Sequence, residues 1–357
     1  MLETTRSEKR GTVACRAAGT LVILAGILLA TGLCTASTPN DNPIPNIFEP
    51  RSTPADSIYH LSRFILAVSG AIFVVVASLL VFVAVKFRSK SEDAGREPAQ
   101  VYGSTQIELA WTVIPILIVV VLFLATARVI HNVQDAAEPS TAVGVTAIGH
   151  QFWWEFRYPG LGIITANELH IPVSNPSQPR PTFLKLLSAD TDHSFWVPQL
   201  AGKTDLIPNR VNEMWMEPHR TGVYLGQCAQ YCGTQHAKML LRVSVDTAED
   251  FEVWVRAQRQ PGIQQENAIA GKRIFETTAC MNCHAVTGTA ATGRFGPDLT
   301  HLMSRATIAS GAAENTPQNL HLWIENPEAF KPGSLMPAMQ LSPADLDDLV
   351  RYLETLR

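Results

Sequence analysis

Residues 228–239 read Cys-Ala-Gln-Tyr-Cys-Gly-Thr-Gln-His-Ala-Lys-Met and hold two thiols, an imidazole and a thioether within twelve positions. His193, in the upstream run Asp-His-Ser-Phe-Trp-Val-Pro, is a further candidate ligand. Soft sulfur ligands combined with imidazole select copper or zinc. A zinc site would take four Cys and His ligands, which Cys228, Cys232, His236 and His193 could supply. The segment therefore predicts a metal site and leaves two metals open.

Met239 favours copper, because a thioether is a weak zinc ligand and a familiar copper one. A single blue-copper centre uses one Cys, two His and one Met, so a second Cys is surplus there. Two thiolates can instead bridge two copper ions, and we expect a dinuclear copper site. A disulfide between Cys228 and Cys232 remains the alternative in an oxidising compartment.

The sequence around this segment is typical of an all-β domain. Between residues 141 and 245, short β-rich runs alternate with Pro and Gly, which predicts a β-sandwich or barrel. Asp246 is the expected cap of a following helix, with Glu249 reaching back to it. That helix ends near residue 259, and residues 260–265 form a polar linker. The expected strands are Val143–Ile148, Phe152–Tyr158, Phe183–Leu187, Gly222–Gly226 and Met239–Val245.

After the linker the pattern becomes helical, and residues 280–284 read Cys-Met-Asn-Cys-His. This is the attachment sequence for c-type haem, although a redox dithiol or half of a zinc site uses similar spacing. Residues 267–277 are expected to form one helix, and Ser342-Pro343 to open the last one. The last helix carries an apolar stripe at spacings of three and four. Its members are Leu346, Leu349, Val350, Leu353 and Leu356.

The N-terminal part predicts export and a membrane hairpin. Residues 1–36 have the basic, apolar and small-residue regions of a signal peptide, with cleavage expected after Ala36. An uncleaved anchor, or a lipid on Cys34, is the alternative. Two apolar runs, Phe64–Val85 and Leu109–Ala127, would span roughly 33 and 28 Å as helices, enough for a hydrocarbon core of about 30 Å. The basic loop between them faces the cytoplasm by the positive-inside rule, which places the mature N-terminus and the chain after Arg128 outside.

The composition excludes several classes of protein. With 28 basic and 32 acidic side chains the net charge is −4, which gives no indication of nucleic-acid binding. A hydrophobic fraction of 46% excludes a disordered chain. Four of the six cysteines lie in two close pairs, which indicates ligands or attachment points rather than a disulfide framework.

From about residue 55 to residue 258, the chain resembles subunit II of the haem-copper cytochrome c oxidases. The resemblance rests on Gln106-x-Glu108-x-x-Trp111-Thr112-x-x-Pro115, on the aromatic run 149–158, on residues 188–198 and on the cysteine segment. It implies a cupredoxin β-sandwich with the dinuclear copper centre called CuA. By position, the implied copper ligands are Cys228, Cys232, His193, His236, Met239 and the backbone carbonyl of Gln230.

Two residues depart from the family pattern. The family often has Glu where Gln230 stands, and that carboxylate helps to hold a magnesium ion, so no magnesium role is carried over. Phe152 stands where mitochondrial-type members have a Trp that receives electrons from soluble cytochrome c.

The C-terminal part resembles class I cytochromes c. Cys280, Cys283 and His284 would hold one covalent haem c, and Met336 would be the second axial ligand. Met339 and then Met303 are the alternative ligands, and His301 or His321 could replace methionine. In the family, the carbonyl of a proline matching Pro297 accepts a hydrogen bond from the axial histidine. Gly271, Phe275 and Tyr352 resemble residues where the two terminal helices cross closely.

Together these features predict a multi-domain membrane protein with a transmembrane hairpin, an all-β cupredoxin domain and an all-α cytochrome c domain. The resemblance implies a bacterial cytochrome c oxidase subunit in the inner membrane, with its soluble domains on the periplasmic face. It would pass electrons from a cytochrome c donor through haem c and CuA to subunit I, coupled to proton pumping, with subunit III as a further partner. Glu108 matches a residue at the entrance of a proton pathway. The alternative is a free-standing membrane-anchored electron carrier.

The expected boundaries are 1–36 for the signal, 37–130 for the N-terminal segment and hairpin (helices about 60–87 and 107–129), 131–259 for the copper domain, 260–265 for the linker and 266–357 for the cytochrome domain.

Overall fold

The computed structural model describes residues 45–88, 97, 100, 102–262, 265 and 268–357. The predicted signal peptide, most of the basic loop and part of the linker therefore lie outside the described residues. The chain from Ile44 to Arg357 forms a single unit.

Two long helices, α1 (Thr53–Lys86) and α2 (Thr105–Gln134), form the hairpin, and both are long and apolar enough to cross a membrane. The first begins seven residues before the expected start at 60, and the second extends beyond 107–129 at both ends. An apolar run marks only the part of a helix that lipid can cover. The first turn of α1 packs instead on the β-domain, where Thr53 Oγ1 donates to the Glu217 carboxylate at 2.6 Å. Most other side chains of the hairpin are exposed, which leaves an apolar surface for lipid or a partner.

The predicted β-sandwich is confirmed, with two five-stranded sheets packed face to face. One sheet has the order β3-β2-β1-β5-β8 and the other β4-β10-β9-β6-β7. Pairs β1–β5 and β4–β10 are parallel, and the other pairs are antiparallel. Large side chains from both sheets, including Trp154, Phe156 and Phe195, are fully buried between them. The strands are β1 (Val143–His150), β2 (Trp153–Tyr158), β3 (Ile163–Ala166), β4 (Glu168–Pro172), β5 (Thr182–Ser188), β6 (His193–Trp196), β7 (Thr204–Leu206), β8 (Asn212–Met216), β9 (Gly222–Cys228) and β10 (Leu240–Asp246).

The helix that closes the β-domain, α3 (Ala248–Gln258), begins differently from the prediction. Its N-cap is Thr247, whose hydroxyl accepts from the backbone N–H of Asp250 at 3.1 Å. The expectation that Asp246 caps this helix is wrong, because pairing with β4 holds Asp246 in the extended end of β10. The Asp246 carboxylate instead lies 2.8 Å from His170 Nδ1.

The C-terminal domain is mainly helical. Ser342 caps the last helix as predicted, and its apolar stripe is buried in the domain core. The expected first helix begins at residue 269 among the described residues. It crosses the last helix so closely that a Cβ on Gly271 would lie 1.9 Å from the carbonyl oxygen of Asp348. The elements are α4 (Ile269–Thr277), α5 (Cys280–Cys283), β11 (Thr307–Ile308), β12 (Ala313–Glu314), α6 (Pro317–Glu325), α7 (Pro327–Phe330) and α8 (Pro343–Leu353).

Candidate copper and haem sites

The sheet pairing collects the candidate copper ligands at the ends of three strands. β9 ends at Cys228 and β10 begins directly after Met239, and the Cys228 N–H donates to the Met239 carbonyl at 2.9 Å. The segment between them closes into a loop that carries Cys232 and His236. β6 starts at His193 and pairs with β9, with Phe195 opposite Cys228. Ligands 46 positions apart at the extremes of this set therefore meet at one place.

The two thiols lie at the centre of the cluster, and each has its own imidazole neighbour. The Sγ atoms of Cys228 and Cys232 are 3.8 Å apart. His193 Nδ1 lies 3.9 Å from Cys228 Sγ, and His236 Nδ1 lies 3.8 Å from Cys232 Sγ. The Met239 sulfur is 3.8 Å from Cys232 Sγ. The carbonyl oxygen of Gln230 lies 3.1 Å from Cys228 Sγ.

The surroundings favour a metal-binding dithiol. Both cysteines are buried and free, so the disulfide alternative does not occur in this structure. The hydrogen bond with Cys232 lowers the pKa of Cys228, and the bond from His193 lowers it further despite burial. Burial lowers the pKa of His193, but bonds with Asp190 and Cys228 outweigh this and raise it. The soft, buried donors with two imidazoles fit copper.

Hydrogen bonds from outside the ligand set orient its members. The Asp190 carboxylate lies 2.7 Å from Nε2 of His193, so that the ring's Nδ1 faces the thiols. The same carboxylate accepts from the backbone N–H of Gln151 at 2.6 Å. The Gln151 side chain in turn donates to the Cys232 carbonyl at 2.6 Å. These hydrogen bonds connect the loop between β9 and β10, residues 229–239 (the copper loop), to Gln151 just before β2.

The second cluster lines an apolar cavity in the C-terminal domain. Cys280 and Cys283 lie on α5, and the His284 ring follows them into the same cavity. His284 Nδ1 lies 2.8 Å from the Pro297 carbonyl oxygen, which fixes the ring. A Cβ on Gly296 would lie 2.5 Å from this ring, so the backbone there approaches it as only glycine allows.

The lining of the same cavity includes two methionines. Met336 and Met339 both line it, whereas Met303 packs on the domain core and is not part of the lining. His301 is buried with Nε2 3.2 Å from the Gln258 carbonyl oxygen. His321 faces Asp347 at 3.3 Å. Neither histidine lines the cavity, which favours methionine as the second axial ligand.

A buried arginine fits an anionic group in this cavity. Arg305 lines it, and burial lowers the pKa of its guanidinium. Among the described residues, Arg305 Nε has no hydrogen-bond partner. Haem carries two propionates, so an apolar cavity lined by Cys-x-x-Cys-His and by a buried arginine with an unbonded Nε fits haem c.

Phe152 contacts both the copper loop and the cavity lined by Cys280, Cys283 and His284 (the haem cavity). A Cβ on Gly233, next to Cys232, would lie 3.0 Å from the Phe152 ring, and the same residue lines the haem cavity. Lys331 Nζ donates to the Phe152 carbonyl at 3.3 Å and to the Ala309 carbonyl at 3.0 Å. Sequence reasoning missed the contacts of Lys331 and Arg305, and no pattern in the chain marks them.

Glu108 belongs to neither cluster. It lies in the first turn of α2 with an exposed side chain. The Thr112 hydroxyl donates to its backbone carbonyl at 2.8 Å. Its expected role remains a prediction.

Comparisons with known proteins match three parts of the chain. Residues 43–129 match the family model of the cytochrome c oxidase subunit II transmembrane domain, residues 176–246 its periplasmic domain, and residues 268–357 cytochrome c. Cytochrome c oxidase subunit 2 of Alkalihalophilus pseudofirmus is 34% identical over 319 residues, which cover 87% of this chain and 90% of that protein. The subunit 2 of Bacillus sp. strain PS3 is 32% identical over 291 residues, covering 76% and 80%. The crystal structure of the periplasmic domain of subunit II from Bradyrhizobium japonicum aligns with a TM-score of 0.31 and 28% identity, over 33% of this chain and 93% of that one. The chain belongs to the cytochrome c oxidase subunit 2 family, and a cytochrome c domain follows its periplasmic domain.

Proposed function

We propose that this subunit holds dinuclear copper in the β-domain and one haem c in the C-terminal domain, and that it accepts electrons at the haem side. When bound, the two groups supply one-electron redox chemistry in the order haem, copper, subunit I. The main support is the position of Phe152. Its ring packs against Gly233 in the copper loop, and Phe152 also lines the haem cavity.

The copper assignment rests on the donors and their arrangement. Cys228, Cys232, His193 and His236 would hold the two ions, since each imidazole lies beside one of the two neighbouring thiols. Met239 and the Gln230 carbonyl would complete the set, since both lie within 3.8 Å of a thiol sulfur. A zinc ion would use four of these donors and leave the buried thioether without a role.

The haem assignment rests on covalent chemistry and on the cavity. Cys280 and Cys283 would attach the haem, and His284, with its ring held by the Pro297 carbonyl, would be one iron ligand. Met336, which lines the same cavity, would be the second, and a His/Met pair gives the raised potential suited to electron transfer.

The remaining surfaces suit an integral membrane complex. The exposed apolar faces of α1 and α2 would pack against oxidase subunit I and lipid, in the bacterial inner membrane. Subunit III would join the same complex, and the domains from residue 131 onward would lie on the periplasmic face. Glu108, at the end of α2 near the basic loop, would lie at the cytoplasmic entrance of a proton pathway for pumping.

Co-purification tests the assembly. Extraction in mild detergent should yield this chain with a haem-copper subunit that reduces oxygen. Isolation of a chain that carries its cofactors but never such a subunit would support the free-standing carrier instead.

Copper spectroscopy tests the site. The intact chain should bind two coppers and give the seven-line hyperfine pattern of a delocalised mixed-valence pair. Cys228→Ser should abolish that pattern. One copper per chain with a four-line spectrum would refute the dinuclear assignment.

Flash-initiated reduction of copper tests the order of transfer. The intact chain is compared with a chain ending at Arg259, both assembled in the oxidase. If soluble cytochrome c reduces the copper of the shortened chain as fast as that of the intact one, the fused haem is not an obligatory relay.

A further inference from the structure

A buried carboxylate of the copper domain is bonded by the cytochrome domain. Glu168, the first residue of edge strand β4, is 5% exposed. Its Oε2 accepts from the backbone N–H of Ala306 at 3.0 Å. Its Oε1 accepts from the backbone N–H and from the hydroxyl of Thr307, both at 2.9 Å. These three hydrogen bonds to Ala306 and Thr307, about 138 residues further along the chain, can form in only one orientation of the cytochrome domain on the copper domain.

A buried cation lies next in the chain to the two bonded residues. Burial lowers the pKa of the Arg305 guanidinium, while the charges of Asp298 and then of Glu168 act in the opposite direction. Burying an isolated carboxylate is costly, and the three hydrogen bonds from residues 306 and 307 offset that cost.

A second fastening lies on the neighbouring strand. The Leu240 N–H donates to the Ser310 carbonyl at 3.1 Å, and the Ser310 hydroxyl donates to the Leu240 carbonyl at 2.9 Å. Leu240 directly follows the candidate copper ligand Met239, and Ser310 lines the haem cavity. The segment 305–310 therefore lines the haem cavity and also bonds the residue next to a candidate copper ligand.

We propose that residues 305–310 and the β4–β10 edge form a permanent docking interface, with Glu168 as its positioning residue. The partner of this surface is the chain's own cytochrome domain, held in one orientation rather than swinging on its linker. The proposal rests on the proposed function for its purpose, but the contacts themselves can be tested without electron transfer.

Hydrogen–deuterium exchange on the intact subunit in its complex tests the interface. Glu168→Ala removes all three acceptor bonds and should speed exchange of residues 306–310 by about ten- to a hundredfold, the factor expected for lost bonds to a charged acceptor. Glu168→Gln keeps an acceptor oxygen without the charge and should give a smaller rise. Glu213→Ala, an exposed Glu on β8, is the matched control and should change nothing there.

Two further readouts keep the outcome decisive. Ser310→Ala removes one hydroxyl bond and should produce a small rise in the same peptide, even if Glu168→Ala disturbs folding. In flash experiments, Glu168→Ala should make copper reduction slower or multiphasic and newly dependent on salt. Unchanged exchange of residues 306–310 in both Glu168 variants would overturn the proposal. If wild-type residues 306–310 are protected from exchange but no electrons pass from haem to copper, the docking proposal stands and the proposed function is refuted.

Discussion

Replacing Lys331 with methionine should remove a pH dependence from the stability of the docked cytochrome domain. The Lys331 side chain is 4% exposed, and within the described part of the chain its ammonium donates to the carbonyls of Phe152 and Ala309. Burial lowers the pKa of Lys331 to about 8 from its ordinary 10.5, and the nearby charge of Lys238 adds to this lowering. Methionine keeps the length of the chain and removes the charge.

The magnitude and sign follow from this pKa difference. At about 1.4 kcal/mol for each pH unit, keeping the ammonium buried at neutral pH costs about 3 kcal/mol. Between pH 8 and 10.5 the unfolded chain binds more protons than the folded one, so stability rises with pH in this window. From pH 7 to 9.5 the Lys331 contribution should therefore add about 2 kcal/mol. The loss of two hydrogen bonds in the variant is independent of pH.

The assay is urea unfolding of the holo subunit at several pH values, followed by haem absorbance. Lys331→Met should show a flatter rise than the wild type, while Lys185→Met, which removes an exposed lysine from β5, should run parallel to it. Other titrating groups cancel in the difference between curves. Parallel curves for wild type and Lys331→Met, whatever the absolute stabilities, would show that the pKa of Lys331 is the same in the folded and unfolded chain.

Three further substitutions test the sites and the helix crossing. Met336→Ala should remove the near-infrared sulfur-to-iron band and lower the haem potential while the haem stays attached. Loss of the band in Met339→Ala but not in Met336→Ala would show that Met339 is the ligand. Gln230→Ala should leave the copper EPR spectrum largely intact, because the proposed ligand is backbone, and loss of the spectrum would contradict this. Gly271→Ala should cost about 3 kcal/mol in urea unfolding, since the new Cβ would lie 1.9 Å from a carbonyl oxygen. Gly160→Ala, with open space around it, is its control, and equal stability of the two variants would contradict the packing argument.

Local patterns predicted the parts of the molecule that short-range physics determines. The stripe of α8 and its Ser342 cap depend on neighbours three and four residues away, and both agree with the structure. The sandwich followed from turn residues spaced between short β-rich runs. The cap of α3 failed by one residue, because strand pairing with β4, about 75 positions earlier, holds Asp246 extended.

The interface between the two soluble domains was not predictable from such patterns. Glu168 and Lys331 are ordinary charged residues in the sequence, and such residues are usually exposed. Their burial depends on segments that meet only after both domains have folded. The candidate ligand residues are recognisable by their spacing in the sequence alone. The sequence therefore indicated two candidate cofactor sites but not the contacts between the domains that carry them.

The chemistry of that interface indicates specificity more than added strength. A linker alone keeps two domains at high effective concentration, so a few weak surface contacts would suffice for transient docking. This interface instead buries a carboxylate, a guanidinium and an ammonium, and the last is held at a free-energy cost of about 3 kcal/mol. Buried charges of this kind contribute little net affinity. In any other docked orientation, however, each would be buried without its hydrogen-bond partners, which disfavours that orientation. The covalent connection therefore supplies the proximity, and the buried polar groups select the one orientation that brings the haem cavity against Phe152 and the copper loop.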